Sequence, residues 1–409
     1  MNIIKFITSI WVLSLTFIVI YTPILSNGIN FLYLTPVFSY FYLLFNIKKI
    51  KTILINRSFI YFLFFTLCLL SYTIILTLFG GGTSLYFKQV FIFLFIKLPL
   101  LISIVFLILK KDSVVTGEIL TKIFLQLCLL QFFFVILTFI SQDIRSFLMF
   151  SDEQATRAIR YYGFSSTLNL SMPLFQGFCG AVAIIYALQR SYKYWVIVLF
   201  MCVSIGLNAR VGFIFIPLAG AFYLASLLSK QPFKFIIMLA TSLIVLYISY
   251  EFIMNFESRN PDGTLTTLGW AMQGVKQYMS LLSGDKVGGV DTLSILFGQM
   301  FHFPSGIDLL LGTGKDAFYA AINSDIGYIN YLYYGGIVLI TLFLAQLSTI
   351  AAFVIQRERG STLVFFLLAL TLLLVGNLKG RLFEVDAIFA VLVFYYLSAI
   401  IKNKNVGNV

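Results

Sequence analysis

Five cations at the edges of apolar segments carry most of the chemistry this chain can offer. They are Arg157 and Arg160, Arg210 within Asn208-Ala209-Arg210-Val211-Gly212, and Lys379 with Arg381. Arginine suits phosphate because its planar fork donates two parallel, charge-assisted hydrogen bonds. Grouped around one cavity at a membrane surface, such residues would hold a diphosphate. Two carboxylates accompany them. Asp325 opens an apolar segment at Ser324-Asp325-Ile326-Gly327-Tyr328. There it can act as a general base toward a hydroxyl, or cap a helix by accepting backbone N–H bonds. Glu384 opens the last apolar segment and can do the same chemistry or pair with Arg381 or Lys379. Asn208, Tyr328 and His302, the only histidine, are further candidates. One histidine and four scattered cysteines give no metal-ligand spacing, which excludes a histidine-rich metal site.

The elements that must position these residues are membrane helices. Hydrophobic residues make up 60% of the sequence, against roughly 45–50% in soluble proteins. Runs such as Phe59–Phe79, Ile119–Ile140, Phe235–Phe256 and Leu363–Val375 are long enough, alone or with their flanks, to cross a ~30 Å hydrocarbon layer. A backbone exposed to lipid must satisfy its own hydrogen bonds, and strand-type alternation is absent. The pattern predicts an all-α polytopic membrane protein of about 12 transmembrane helices. They fall at 4–22, 29–47, 58–79, 89–109, 119–140, 171–189, 195–209, 211–229, 235–256, 326–355, 361–378 and 385–401. The weakest is 195–209, which is short and ends at Asn208 and Arg210. Without it every later segment would invert.

The connections are sorted by charge. Lys48, Lys49, Lys51 and Arg57 share one side with Lys110 and Lys111, Arg190 and Lys193, and Lys230 and Lys234. Arg357 and Arg359, Lys402 and Lys404, and Lys5 fall there too. The positive-inside rule makes that side cytoplasmic, with both termini on it. The net charge of +12 then calls for a lipid bilayer as partner and no nucleic acid. The first apolar run is too long for a signal peptide and no clear cleavage site follows it. No repeat or linker divides the chain, so 1–409 reads as a single membrane domain.

Two outer connections are long, 141–170 and 257–325, the second lying between the ninth and tenth spans. Within it, Thr266–Ser283 places Leu268, Met272, Val275, Met279 and Leu282 on one helical face. That helix either packs over the bundle or closes as a lid over a substrate groove. Gly312-Thr313-Gly314-Lys315 lacks the spacing of a P-loop. Lys97, mid-span and two residues before Pro99, either pairs inside the bundle or lines a wet passage.

The ordered motifs carry a resemblance. Arg160-Tyr-Tyr-Gly-Phe precedes a span, and Asn208-Ala-Arg-Val-Gly212 follows. The large loop closes with Leu310-Leu-Gly-Thr-Gly-Lys-Asp. Then come Ser324-Asp-Ile-Gly-Tyr-Ile-Asn-Tyr-Leu-Tyr-Tyr-Gly-Gly336 and Lys379-Gly-Arg-Leu-Phe-Glu384. In this order and topology the chain resembles the Wzy-type O-antigen polymerases, glycosyltransferases of bacterial inner membranes related to the O-antigen ligases. The resemblance implies a GT-C-like arrangement with the large outer loop periplasmic and partly helical. It implies undecaprenyl-diphosphate-linked oligosaccharide as both donor and acceptor, a polysaccharide chain-length regulator as a partner, and no cofactor or metal. Arginines would stabilise the leaving diphosphate. The ligases carry a histidine where this chain has Asp325, which favours polymerase over ligase and leaves the identity of the base open. The rival from another class is a lipid-linked oligosaccharide flippase or exporter. Such proteins are generally built from two similar halves with short loops, and neither feature is visible here.

Overall fold

The computed structural model describes residues 3–79, 85–112, 115–148, 161–165, 171–208, 210–233, 235–236, 239–240, 300–315, 324, 326–380 and 387–405. Among them the chain is helical, with one isolated bridge between Ile24 and Asn30 in place of a sheet. In order the helices are α1 (Ile3–Tyr21), α2 (Thr35–Phe45), α3 (Ile47–Leu54), α4 (Arg57–Phe79) and α5 (Tyr86–Asp112). Next come α6 (Gly117–Ile140), α7 (Gln142–Leu148), α8 (Ser171–Gln189), α9 (Tyr194–Gly206) and α10 (Phe215–Lys230). The last four are α11 (Ile307–Leu311), α12 (Gly327–Arg357), α13 (Gly360–Gly376) and α14 (Ala387–Asn405). Helices α4, α5, α6, α8 and α12 are long and apolar enough to cross a membrane, and six shorter apolar helices accompany them. The expected span 235–256 and the amphipathic segment Thr266–Ser283 lie, all but a few residues, outside the described residues.

Helices α8 and α14 form the centre. Of the apolar stretch of α8, 89% is buried, against 28% for α4. On α14 every side chain from Ala387 to Ile401 is buried. Large apolar side chains such as Phe64, Leu67, Leu78 and Phe79 of α4 face outward, an arrangement that suits lipid and not water.

The weak segment at 195–209 pairs along α8. The Tyr194 ring packs on Tyr186 at the far end of α8, with centroids 5.1 Å apart. Two residues before its own end, the Ser204 hydroxyl donates to Gln176 Oε1 at 2.8 Å. Just beyond it, Asn208 Nδ2 donates to Met172 Sδ at 2.9 Å. Helix α9 is therefore antiparallel to α8 and joins both ends of it.

Three expected spans have internal structure that hydropathy does not reveal. The segment 29–47 divides into a turn at Phe31–Leu34 and α2, after which α3 carries Lys48, Lys49 and Lys51 as a separate amphipathic helix. In α5, Pro99 has no N–H for the Phe95 carbonyl one turn back. The helix widens to a π turn at Phe93–Lys97, and the Tyr40 hydroxyl donates to Phe95 O at 2.8 Å instead. Lys97 sits on that turn, 1% exposed and partnered. The segment expected as one span at 326–355 breaks at Gly336, with φ 63° and ψ −165°. Only glycine adopts this conformation freely. A Cβ there would also strike the Leu310 carbonyl. The segment after α11 fills the break. Thr313 donates to Tyr333 O from its N–H at 2.7 Å and from its hydroxyl at 2.9 Å, and Gly314 N–H donates to Tyr334 O at 2.9 Å.

The connections sort to two ends. At one, Arg190 pairs with Glu118, Lys402 pairs with Glu358 at 3.0 Å, and the Ser398 hydroxyl donates to Val115 O at 3.1 Å. The motifs singled out above belong to the opposite end.

Candidate functional site

Backbone hydrogen bonds at that end join segments distant in sequence. Tyr161 N–H donates to Leu207 O at 2.9 Å, tying the residue after Arg160 to the turn that leads into Arg210. Asn208 reinforces the tie, its Nδ2 lying 3.5 Å from Tyr161 O. From α6, Gln131 Nε2 donates to Tyr162 O at 2.7 Å. Gly163 follows in the left-handed region, φ 60°. A Cβ there would sit 2.8 Å from Gln131 Nε2 and 3.0 Å from Val135 N. The glycine of the Arg160-Tyr-Tyr-Gly-Phe motif is thus required twice, by its backbone angle and by the closeness of α6.

A second pair of motifs meets in the same way. Tyr328 N–H donates to Asn377 O at 3.3 Å, and Gly327 lies so close to Gly380 that a Cβ would strike its carbonyl. The start of α12 therefore packs on the turn that carries Lys379. Asn330 Nδ2 donates to Ser324 O at 2.8 Å and to Ile326 O at 2.9 Å, gripping the chain on both sides of position 325. Ser324 also donates to Met300 O at 2.9 Å, which brings the His302 segment to this place. His302 itself is exposed. A third tie links the two buried central helices, as the first N–H of α14, on Ala387, donates to Ser171 Oγ at the start of α8 at 3.0 Å.

These ties fix which helix termini meet at this end. Helices α8, α12 and α14 all begin there. Each helix start carries about +0.5 elementary charge from its aligned peptide dipoles and presents N–H groups suited to an anion. Burial of α8 and α14 limits screening by solvent. Helices α6, α9 and α13 end at the same place, so their opposing dipoles offset these starts and a preference for an anion must come from side chains.

Arg157, Arg160, Asp325, Arg381 and Glu384 lie outside the described residues, and of Arg210 the backbone alone is described, in a tight turn at Arg210–Ile214. Lys379 is half-buried and partnered. Asn208 is fully buried beneath the Tyr161 backbone, so it supports the end and does not line its surface. The Tyr328 hydroxyl donates to Leu374 O at 2.8 Å, a packing role. The N-cap position expected of Asp325 is taken by Ile326, whose N–H is bound by Ser324 Oγ at 3.2 Å.

Two residues escaped the sequence reading. Arg145 of α7 is 7% exposed, and its guanidinium lies 4.7 Å over the Tyr161 ring, which Phe139 meets edge-on at 5.1 Å. It breaks the positive-inside trend as Arg157 does, and that signal was available. Asn330 stands alone as a polar residue in an apolar run, and its grip on residues 324 and 326 explains it.

Comparison with protein-family models, curated proteins and solved structures finds no match to this chain.

Proposed function

We propose that this chain is a lipid-linked glycan polymerase of the Wzy type. It is a GT-C-like glycosyltransferase of about 12 transmembrane helices in the bacterial inner membrane. Both termini are cytoplasmic and the site faces the periplasm. The donor is a growing glycan on undecaprenyl diphosphate, and the acceptor is a fresh lipid-linked repeat unit. An acceptor hydroxyl attacks the anomeric carbon and gives its proton to Asp325, with Glu384 in reserve. The bond to the diphosphate breaks, and undecaprenyl diphosphate leaves with the electron pair. Arg157, Arg160, Arg210, Lys379 and Arg381 hold that diphosphate and take up its developing charge.

The observation that carries this reading is convergence. The chain neighbours of Arg160 and Arg210 are bonded to each other, as are the segments that hold Asp325 and Lys379. The described parts of these segments lie at one end of the bundle. A site for a lipid diphosphate with a base nearby needs this combination.

The test is incubation of purified protein with lipid-linked repeat units, followed by separation of the glycans by length. A ladder of lengthened products on lipid diphosphate is expected. Movement of a labelled unit across a vesicle membrane with no lengthening would replace this reading with that of a flippase.

A further inference from the structure

Below the Tyr161–Gly163 segment lies a polar cluster that the proposed reaction does not use. Gln131 of α6, Gln176 of α8 and Asn208 after α9 are fully buried, and each has one amide atom without a hydrogen-bond partner: Gln131 Oε1, Gln176 Nε2 and Asn208 Oδ1. Two of the amides meet at one side chain. Met172 Sδ lies 2.9 Å from Asn208 Nδ2 and 3.7 Å from Gln131 Nε2, and Gln176 is one turn along the same face of α8. Gln176 and Asn208 are further linked through Ser204, four residues before Asn208 on α9.

Turning an amide over does not remove the deficit. Gln131 must keep its NH2 group toward Tyr162 O, at 2.7 Å. Reversing Asn208 exchanges an unpartnered oxygen for an unpartnered nitrogen, and reversing Gln176 exchanges an unpartnered nitrogen for an unpartnered oxygen. Left dry, each buried amide atom costs about 1–3 kcal/mol. The unmet groups are two acceptors and one donor. Water supplies the complement: O–H donors for Gln131 and Asn208, and a lone pair for the Gln176 N–H.

We propose that this cluster is a binding site for internal water, enclosed by α6, α8 and α9. The water completes the hydrogen bonding of the amides that hold residues 161–163 and 207–208 together. The inference stands whether or not the chain is a polymerase.

Radiolytic hydroxyl labelling tests it, because radicals formed from bound water oxidise the side chains that touch that water. The full-length protein in lipid nanodiscs would be irradiated and its peptides analysed by mass spectrometry. Met172 and Met201 are both fully buried, but Met201 Sδ faces Cys128 Sγ and no amide. Met172 should be oxidised several-fold faster than Met201, with Leu174 and Phe175, also fully buried, staying at background. Gln176→Leu should bring Met172 down to the level of Met201. Equal protection of the two methionines in the parent protein overturns the proposal. So does labelling of Leu174 and Phe175 along with Met172, since that would mean the segment opens to bulk solvent.

Discussion

Arg160 and Arg210 are one residue and three residues from the two ends of the Tyr161–Leu207 hydrogen bond. If both grip one diphosphate, lysine cannot replace either, because it offers a point charge and no planar fork. Loss of a charged contact of this kind is worth about 1.5–3 kcal/mol, which is roughly 10- to 100-fold in rate when the contact tightens in the transition state. Arg160→Lys and Arg210→Lys should each shorten the glycan ladder nearly as much as the alanine variants. Full-length polymer from both lysine variants, at normal protein level, would count against the assignment. Asp325→Asn asks a separate question. Ile326 holds the N-cap position of α12 and Ser324 supplies the local acceptor, so the asparagine variant should fold and melt like the parent. As a base, Asp325 contributes about 10²–10⁴ in rate, and the variant should bind lipid-linked substrate yet elongate it that much more slowly. An unimpaired variant moves the role to Glu384. At this scale the cations stand out in the sequence, because a charge beside an apolar run is conspicuous. The sequence does not show what Asn208 and Tyr328 hold, because whether a polar side chain lines a surface or props a backbone depends on contacts between distant segments.

The break in α12 is the element that most departs from a simple bundle. A carbonyl freed in a membrane must find a partner inside the protein, and Tyr72 of α4 meets that need. Its hydroxyl lies 2.7 Å from Leu311 O and 3.0 Å from Gly335 O, pinning the Leu310–Gly314 segment to the break. Tyr72→Phe leaves both oxygens without that donor and should cost about 1–3 kcal/mol, read as a lower melting temperature in detergent. Trypsin should also cut faster after Lys315, which is exposed just beyond the pinned segment. An unchanged melting temperature and cleavage rate would show that the segment is held by Thr313 and Gly314 alone. The sequence shows two glycines at 335 and 336 and a glycine-rich stretch at 312–314. It does not show that the second fits into the first, since hydropathy runs straight through both. Pro99 is a contrasting case: it announces a defect in α5, but its remedy, Tyr40, comes from α2.

At the scale of the whole molecule, sidedness decides between readings of the site. The all-helical architecture is plain from composition, since long apolar runs leave the backbone no other way to satisfy itself in lipid. The number of crossings is harder, because a helix of 13 residues such as α9 lies below the usual length for a span. Its pairing along α8 is what shows that it joins both ends. The end that bears Arg190, Lys193, Arg357 and Lys402 should then face the cytoplasm, and the end with the Tyr161–Leu207 and Gly327–Gly380 contacts should face outward. Ser26 is exposed at the second end, where its N–H donates to Phe147 O at 3.1 Å. Tyr192, 77% exposed, marks the first. In a chain with its native cysteines replaced by alanine, Ser26→Cys should react with an impermeant thiol reagent on intact spheroplasts. Tyr192→Cys should react only after lysis. The reverse pattern would put the end with these contacts in the cytoplasm, where nucleotide-linked and not lipid-linked sugars are the ready donors. The polymerase reading would then fail even if every arginine proved essential. Equal labelling of both positions before lysis would remove the two-ended arrangement on which the reading depends.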